Sequence, residues 1–139
     1  MSFIDASAMV AILLQEKSAE RLTSAIEVDI APFTNVLAVW ETAAALHRKK
    51  IMSVGAAQIL VADFLAAAGI EVVAIAPAEL SLALSAFQYF GRHHYPDPAD
   101  RNKGLNLADC FHYASAKSRN SPILTIDEGF AATDLPKGA

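Results

Sequence analysis

Apolar positions along the chain fall into two kinds of run. Short runs rich in β-branched or aromatic residues predict strands over Ser2–Asp5, Asp29–Phe33, Ile70–Ile75 and Pro122–Ile126, the second of them broken by Pro32. Longer runs with three- and four-residue spacing predict helices. These cover Ser7–Gln15, Ser18–Ile26, Val36 to about Lys49, Ser53 to about Ala68, Pro77 to about Phe90, and Asn106 to about Lys117. Asn35, Ser53 and Asn106 supply N-caps, Pro77 suits a first helical turn, and Gly69 suits a left-handed helix end. In the third helix, Val36, Val39, Trp40 and Ala43 are expected on one face. The segment Arg92–Gly104 is polar, carries Pro96 and Pro98, and reads as a loop, while Asp127-Glu128-Gly129 reads as a turn.

Short apolar strands separated by helical crossovers predict a parallel sheet covered on both faces, a three-layer α/β domain. No repeat, linker or low-complexity run divides the chain, so residues 1–139 are expected to form one domain. At 139 residues the scaling of surface with mass gives roughly 7,000 Å² accessible when folded, with about two thirds of the chain's surface buried. A core of that size needs no staple. The chain is 54% hydrophobic and 19% charged, which excludes disorder as the main state. The uncharged runs Ile51–Ala62 and Leu80–Gly91 are too short to span a bilayer, which takes roughly 20 residues. Asp5 interrupts the first apolar run with no basic residue before it, and the single Cys110 has no disulfide partner. The expected setting is the cytoplasm, without a membrane.

Four acids stand out by position. Asp5 and Asp127 follow strands, at the carboxyl edge where open α/β sheets bind ligands. Glu41 and Asp109 lie in helices with apolar or small neighbours. Each has a plain structural alternative. Asp5 suits the N-cap of the first helix, Asp127 suits a turn, and Asn106-x-x-Asp109 suits a capping box. Glu41 is the hardest to explain in that way, since a carboxylate in an alanine-rich helix gains no cap; an exposed edge is its alternative. Brought together, unpaired carboxylates repel and raise one another's pKa. A hard divalent cation removes that penalty, and Mg²⁺ bound by a few carboxylates suits phosphodiester hydrolysis.

The set resembles the PIN-domain ribonucleases, and within them the VapC-type toxins of type II (VapBC) toxin–antitoxin modules. The carriers are Phe3-Ile4-Asp5-Ala6-Ser7-Ala8, Glu41, Leu105-Asn106-Leu107-Ala108-Asp109-Cys110, and Leu124-Thr125-Ile126-Asp127 with Phe130 and Thr133-Asp134. The resemblance covers essentially the whole chain. It implies a PIN-like α/β/α fold with a small central parallel sheet. It implies an endoribonuclease whose pocket of Asp5, Glu41, Asp109 and Asp127 binds Mg²⁺ or Mn²⁺. Ser7, Asn106 and Thr125 match polar positions that orient the acids or their waters. A VapB-type antitoxin and a homodimer are the implied partners. Asp127, at the strand end, is preferred to Glu128 as the fourth acid. Arg92–Gly104 departs from the family's shorter basic stretch.

Net charge is −4, but without the four acids 11 acidic residues face 11 basic ones. Six basic residues fall in two segments, Arg48, Lys49 and Lys50, and then Arg92, Arg101 and Lys103, with His93 and His94 beside the latter. These are the candidate RNA contacts, and Tyr89, Phe90 and Tyr95 offer stacking surfaces. The alternative for Arg48–Lys50 is a helix C-terminus answering its own dipole. Asp109-x-x-His112 has a spacing that could ligate zinc, but no Cys or His cluster supports it, and His112 reads as a core or rim histidine; Cys110 reads as packing, and Trp40 as core or antitoxin groove. Two rival functions remain. An aspartate phosphotransfer domain or phosphatase lacks its acidic pair or Asp-x-Asp here, and a non-catalytic PIN-like interaction module predicts the loss of one or more of the acids.

Overall fold

The computed structural model describes residues 1–136. Its elements are β1 (Phe3–Ile4), α1 (Ala6–Leu13), α2 (Ala19–Glu27), β2 (Phe33–Asn35), α3 (Val36–Lys50), α4 (Val54–Ala68), β3 (Glu71–Val73), α5 (Leu80–Phe90), α6 (Leu107–Ser118) and β4 (Ile123–Leu124). The strands form one parallel sheet in the order β3-β2-β1-β4, flanked by helices. Phe3 and Ile4 are fully buried at its centre, with Phe33, Ile123 and Leu124 beside them. The chain steps from β1 through β2 to β3, then returns to the far side of β1 for β4. That reversal opens a crevice at the carboxyl ends of β1 and β4, where such sheets take their ligands.

The expected caps form. The Asn35 and Ser53 side chains accept from the Ala38 and Ala56 amides, and α4 ends at Gly69 with φ of 68°. Pro77 opens a 3₁₀ turn that leads into α5. The sequence misplaces β2, which lies at Phe33–Asn35 rather than Asp29–Phe33. Asp29 explains the shift: its Oδ1 pairs with the Met1 ammonium at 2.8 Å and accepts the Ala31 amide at 3.0 Å, so 29–31 curls into a turn. Pro32 has no amide hydrogen to offer, and pairing starts where Phe33 N donates to the Ser2 carbonyl. The stretch 92–104 is more ordered than a plain loop and holds 3₁₀ turns at Arg92–His94 and Pro98–Lys103.

The inward face of α3 is also rotated from expectation. Ala38, Thr42, Ala45 and Leu46 are buried, whereas Val36 is exposed and Trp40 is 68% exposed. Small side chains let α3 approach α1 and β2 closely, and the Thr42 hydroxyl is satisfied by donating to the Ala38 carbonyl at 2.7 Å. Trp40 is therefore no core residue. No helix among the described residues is long and apolar enough to cross a membrane.

Candidate active site

Asp5 occupies the N-cap position of α1 but makes no cap bond with its side chain. Its Oδ2 instead accepts from Ser7 Oγ at 2.7 Å and from Thr125 Oγ1 at 2.8 Å. Those two hydroxyls are 3.0 Å apart, and each takes a backbone amide as well: Ile126 N donates to Ser7 Oγ and Asp127 N to Thr125 Oγ1. The start of α1 and the end of β4 are thereby tied together around one carboxylate oxygen.

Asp109 and Asn106 form the expected capping box. Asp109 N donates to Asn106 Oδ1 at 2.8 Å, and Asn106 N donates to Asp109 Oδ2 at 3.0 Å. Asp127 caps its turn, with Oδ1 accepting from Gly129 N at 2.9 Å. Glu41 Oε1 lies 2.5 Å from His112 Nε2. Each acid thus commits one oxygen to the fold. The other oxygen of each accepts no hydrogen bond among the described residues.

The electrostatics link the same groups. Burial, then the charges of Asp5 and Asp127, push the Asp109 carboxyl up to about 7 despite its backbone bond. Burial and Asp5 also raise Asp127, against the Gly129 amide and the Arg92 charge. Asp5 and Asp109 are 3% and 4% exposed, so water does little to relieve this repulsion.

His112 lies against these acids, a placement that its three-residue spacing from Asp109 only hints at. It is fully buried in α6, and its ring stacks on Phe3 of β1 with centroids 5.2 Å apart. Its Nε2 stands 3.9 Å from Asp5 Oδ1 in addition to its bond with Glu41. Burial disfavours the charged ring, but the bond to Glu41 and the charges of Asp5, Glu41 and Asp109 outweigh it and raise its pKa. One ligand atom from each of Asp5, Glu41 and His112 lies within 4.8 Å of the others. Behind His112 runs a buried polar chain through Asn35, Ser115 and Glu79.

The candidate RNA contacts are dispersed. Arg92 is exposed, donates from Nε to the Gly104 carbonyl at 3.4 Å, and reaches Asp127 electrostatically. His93 packs on the Phe87 and His94 rings, and His94 Nε2 pairs with the Gln88 carbonyl. Lys103 is paired with Asp100 at 3.0 Å, and Arg101 is exposed. Arg48, Lys49 and Lys50 sit at the far end of α3, roughly 10–13 Å along the helix from Glu41 at 1.5 Å per residue. Cys110 is buried, and burial pushes its thiol up to about 11, which suits packing. Trp40 and Leu107 flank an apolar cleft of about 540 Å³ that Glu41 and Asn106 also line.

A family model described as PIN domain matches residues 2–135. Ribonuclease VapC30 of Mycobacterium tuberculosis is 31% identical over 132 residues, covering 95% of this chain and 94% of that protein. VapC ribonuclease R02377 of Rhizobium meliloti is 32% identical over 146 residues, covering 97% and 99%. Among solved structures, the Mycobacterium tuberculosis toxin VapC20, described as cleaving the sarcin-ricin loop, superposes with a TM-score of 0.69. That match covers 99% of this chain and 98% of the other at 15% identity, and speaks to the fold.

Proposed function

Because the chain belongs to the PIN-domain family and, within it, to the VapC ribonucleases, we propose that it is a metal-dependent endoribonuclease, the toxin of a type II toxin–antitoxin module. The observation that carries this reading is the division of labour in the acids. Asp5 Oδ2, Asp109 Oδ2, Asp127 Oδ1 and Glu41 Oε1 serve the fold, and the partner oxygen of each is uncommitted. An all-oxygen donor set with excess negative charge fits a hard cation such as Mg²⁺, with Mn²⁺ as the substitute.

In this reading Asp5, Glu41, Asp109 and Asp127 would hold the cation, directly or through waters of its shell. Bound there, a cation would supply the chemistry of phosphodiester hydrolysis, a lowered pKa for an attacking water and charge to stabilise the leaving oxygen. Ser7 and Thr125 fix the Asp5 carboxylate from the fold side, so that its Oδ1 keeps one orientation. Asn106 does the same for Asp109 through its backbone amide. Without a cation, Asp109 holds a proton near neutral pH. Arg92, beside Asp127, is the basic residue best placed to meet an RNA phosphate.

The partner of this reading is a VapB-type antitoxin, and the setting is the cytoplasm. Leu80, Leu84, Phe87 and Leu107 are exposed apolar residues around one groove, which supports a partner or a second copy of the chain covering them. Incubating the purified protein with RNA and millimolar Mg²⁺, with and without EDTA, tests the activity. Cleavage that EDTA abolishes and Asp5→Ala removes is the expected result. Metal-independent cleavage, or full activity in Asp5→Ala, would sink the reading.

A further inference from the structure

The contact between Asp5, Glu41 and His112 has the outline of a ligand triad, two carboxylates and an imidazole, which would suit zinc. The hydrogen bonds around His112 argue otherwise. Asn35 is the starting point. Its Oδ1 accepts the Ala38 amide at 2.9 Å and caps α3, which fixes which end of the amide is oxygen. The NH₂ end therefore faces the core. It has two hydrogens and two neighbours, His112 Nδ1 at 3.2 Å and Ser115 Oγ at 3.1 Å. Ser115 sends its own hydrogen onward to Glu79 Oε1 at 2.8 Å, so its oxygen is free to accept from Asn35. The chain then has one consistent direction, and Nδ1 of His112 must present a lone pair.

Turning the Asn35 amide over would set its NH₂ against the Ala38 amide and remove the cap. A proton on Nδ1 would point at the Asn35 NH₂ group. A ring with its lone pair on Nδ1 carries its hydrogen on Nε2, aimed at Glu41 Oε1. Distance agrees. Neighbouring ligands of a Mg²⁺ ion, each 2.0–2.1 Å from it, are about 3 Å apart. Nε2 and Oε1 stand 2.5 Å apart, a hydrogen bond with no room for a shared ion.

Resting on the reading of the site as a metal-dependent nuclease, we propose that His112 is a positioning residue and not a metal ligand: its Nε2–H, with the ring oriented by Asn35, holds the Glu41 carboxylate in place beside Asp5, leaving the cation to oxygen atoms alone. The Phe3 ring below and the Asn35 amide behind hold the plane of the imidazole. Glu41 has Ala38, Ala44 and Ala45 as helical neighbours at i−3, i+3 and i+4, none of them able to hold a carboxylate, and the hydrogen bond from His112 is what fixes it.

The test uses the full chain labelled with ¹⁵N-histidine. Long-range proton–nitrogen spectra separate the two ring nitrogens of each histidine, and the His112 signals are those missing from His112→Gln. The expected spectrum shows a bare Nδ1 and a protonated Nε2, unchanged in form when Mg²⁺ is added. Nδ1–H, a doubly protonated ring, or loss of the Nε2 proton on adding Mg²⁺ would overturn the assignment. These spectra decide the matter whether or not the protein cleaves RNA, so failure of the nuclease reading is told apart from failure of this one. In RNA cleavage, His112→Gln keeps an N–H in reach of Glu41 and is expected within about tenfold of wild type. His112→Leu is expected to lose a further 10–100-fold, the usual range for a residue that orients a ligand. Melting curves establish that both variants are folded. Equal activity of the folded Gln and Leu variants would overturn the positioning role.

Discussion

Thr125 Oγ1 sits 2.8 Å from Asp5 Oδ2, a contact made across 120 residues that decides where the Asp5 carboxylate points. Asp5 stands where an N-cap should be, yet α1 starts without its side chain. The hydroxyls of Ser7 and Thr125 hold it instead, and both also receive backbone amides from the segment after β4. The end of β4 is thus part of the site's frame as well as the carrier of Asp127.

Removing that hydroxyl should separate positioning from folding. Thr125→Val keeps the shape but strands the Asp127 amide and leaves the Asp5 carboxylate to Ser7 alone. A loss of about 1–3 kcal/mol in stability is expected, with RNA cleavage down 10–100-fold. Thr125→Ser should recover most of both. Denaturant melts and cleavage rates of the two variants check this, and wild-type cleavage by a folded Thr125→Val would show that Asp5 needs no such restraint.

The Asp109 carboxyl sets a pH dependence. Its ordinary value is 3.8, and in the fold burial and neighbouring carboxylates push it up to about 7. A folded value above the unfolded one means that the native state binds the proton more tightly. Stability from this group therefore falls as pH rises between about 4 and 7, and the full penalty is felt above 7. Asp109→Asn keeps an oxygen for the Asn106 amide and removes the charge. It should raise the melting temperature by several degrees at pH 8 and by little at pH 4, while abolishing cleavage. Equal gains at both pH values would mean that repulsion is not what the substitution relieves.

Metal should act in the opposite sense to that repulsion. A cation that binds the folded site alone stabilises it by about 2.7 kcal/mol at 100 times its dissociation constant. We expect Mg²⁺ to raise the melting temperature at pH 8, EDTA to reverse it, and Asp5→Asn to blunt it. The gain should shrink at pH 5, where Asp109 is protonated and competes with the cation. A melting temperature indifferent to millimolar Mg²⁺ would count against a preformed site.

The four acids stood out in the sequence because a carboxylate in an apolar segment has few explanations. What misleads is the assumption that a structural explanation and a functional one exclude each other. Asp109 completes a capping box and Asp127 caps a turn, yet each uses only one oxygen to do so. The helices were legible from their caps and periodicity. The position of β2 was not, since it depends on Asp29 meeting the chain's own ammonium group. The rotation of α3 was not, since alanines that look neutral in sequence become its contact face. His112 was the chief omission. Its three-residue spacing from Asp109 puts both on one side of α6, a signal present but weak. What makes it part of the site is the packing of α6 against β1 and α3, where Phe3, Asn35 and Glu41 come from three separate elements.

The two basic segments make opposite predictions for RNA. Arg92 is exposed and its charge reaches Asp127, which makes it the basic side chain expected to meet a phosphate at the acids. Arg48, Lys49 and Lys50 end α3, roughly 10–13 Å along the helix from Glu41, and suit its C-terminal dipole. Lys103 is partly neutralised by Asp100. Arg92→Gln should therefore lower kcat/KM on a short single-stranded RNA by about 3–10-fold. It should also flatten the dependence of binding on salt, since each phosphate contact in single strands contributes a slope of about −0.7 in log K against log salt. Replacing Arg48, Lys49 and Lys50 together by Gln should leave the same short substrate within about twofold of wild type. Cleavage rates across a salt series on one short RNA distinguish the segments. A larger defect and a lost slope in the triple variant, with Arg92→Gln unaffected, would move the RNA path to the far end of α3. The acids would then have to be reached by RNA lying along that helix past Trp40, and Trp40→Ala would become the decisive variant.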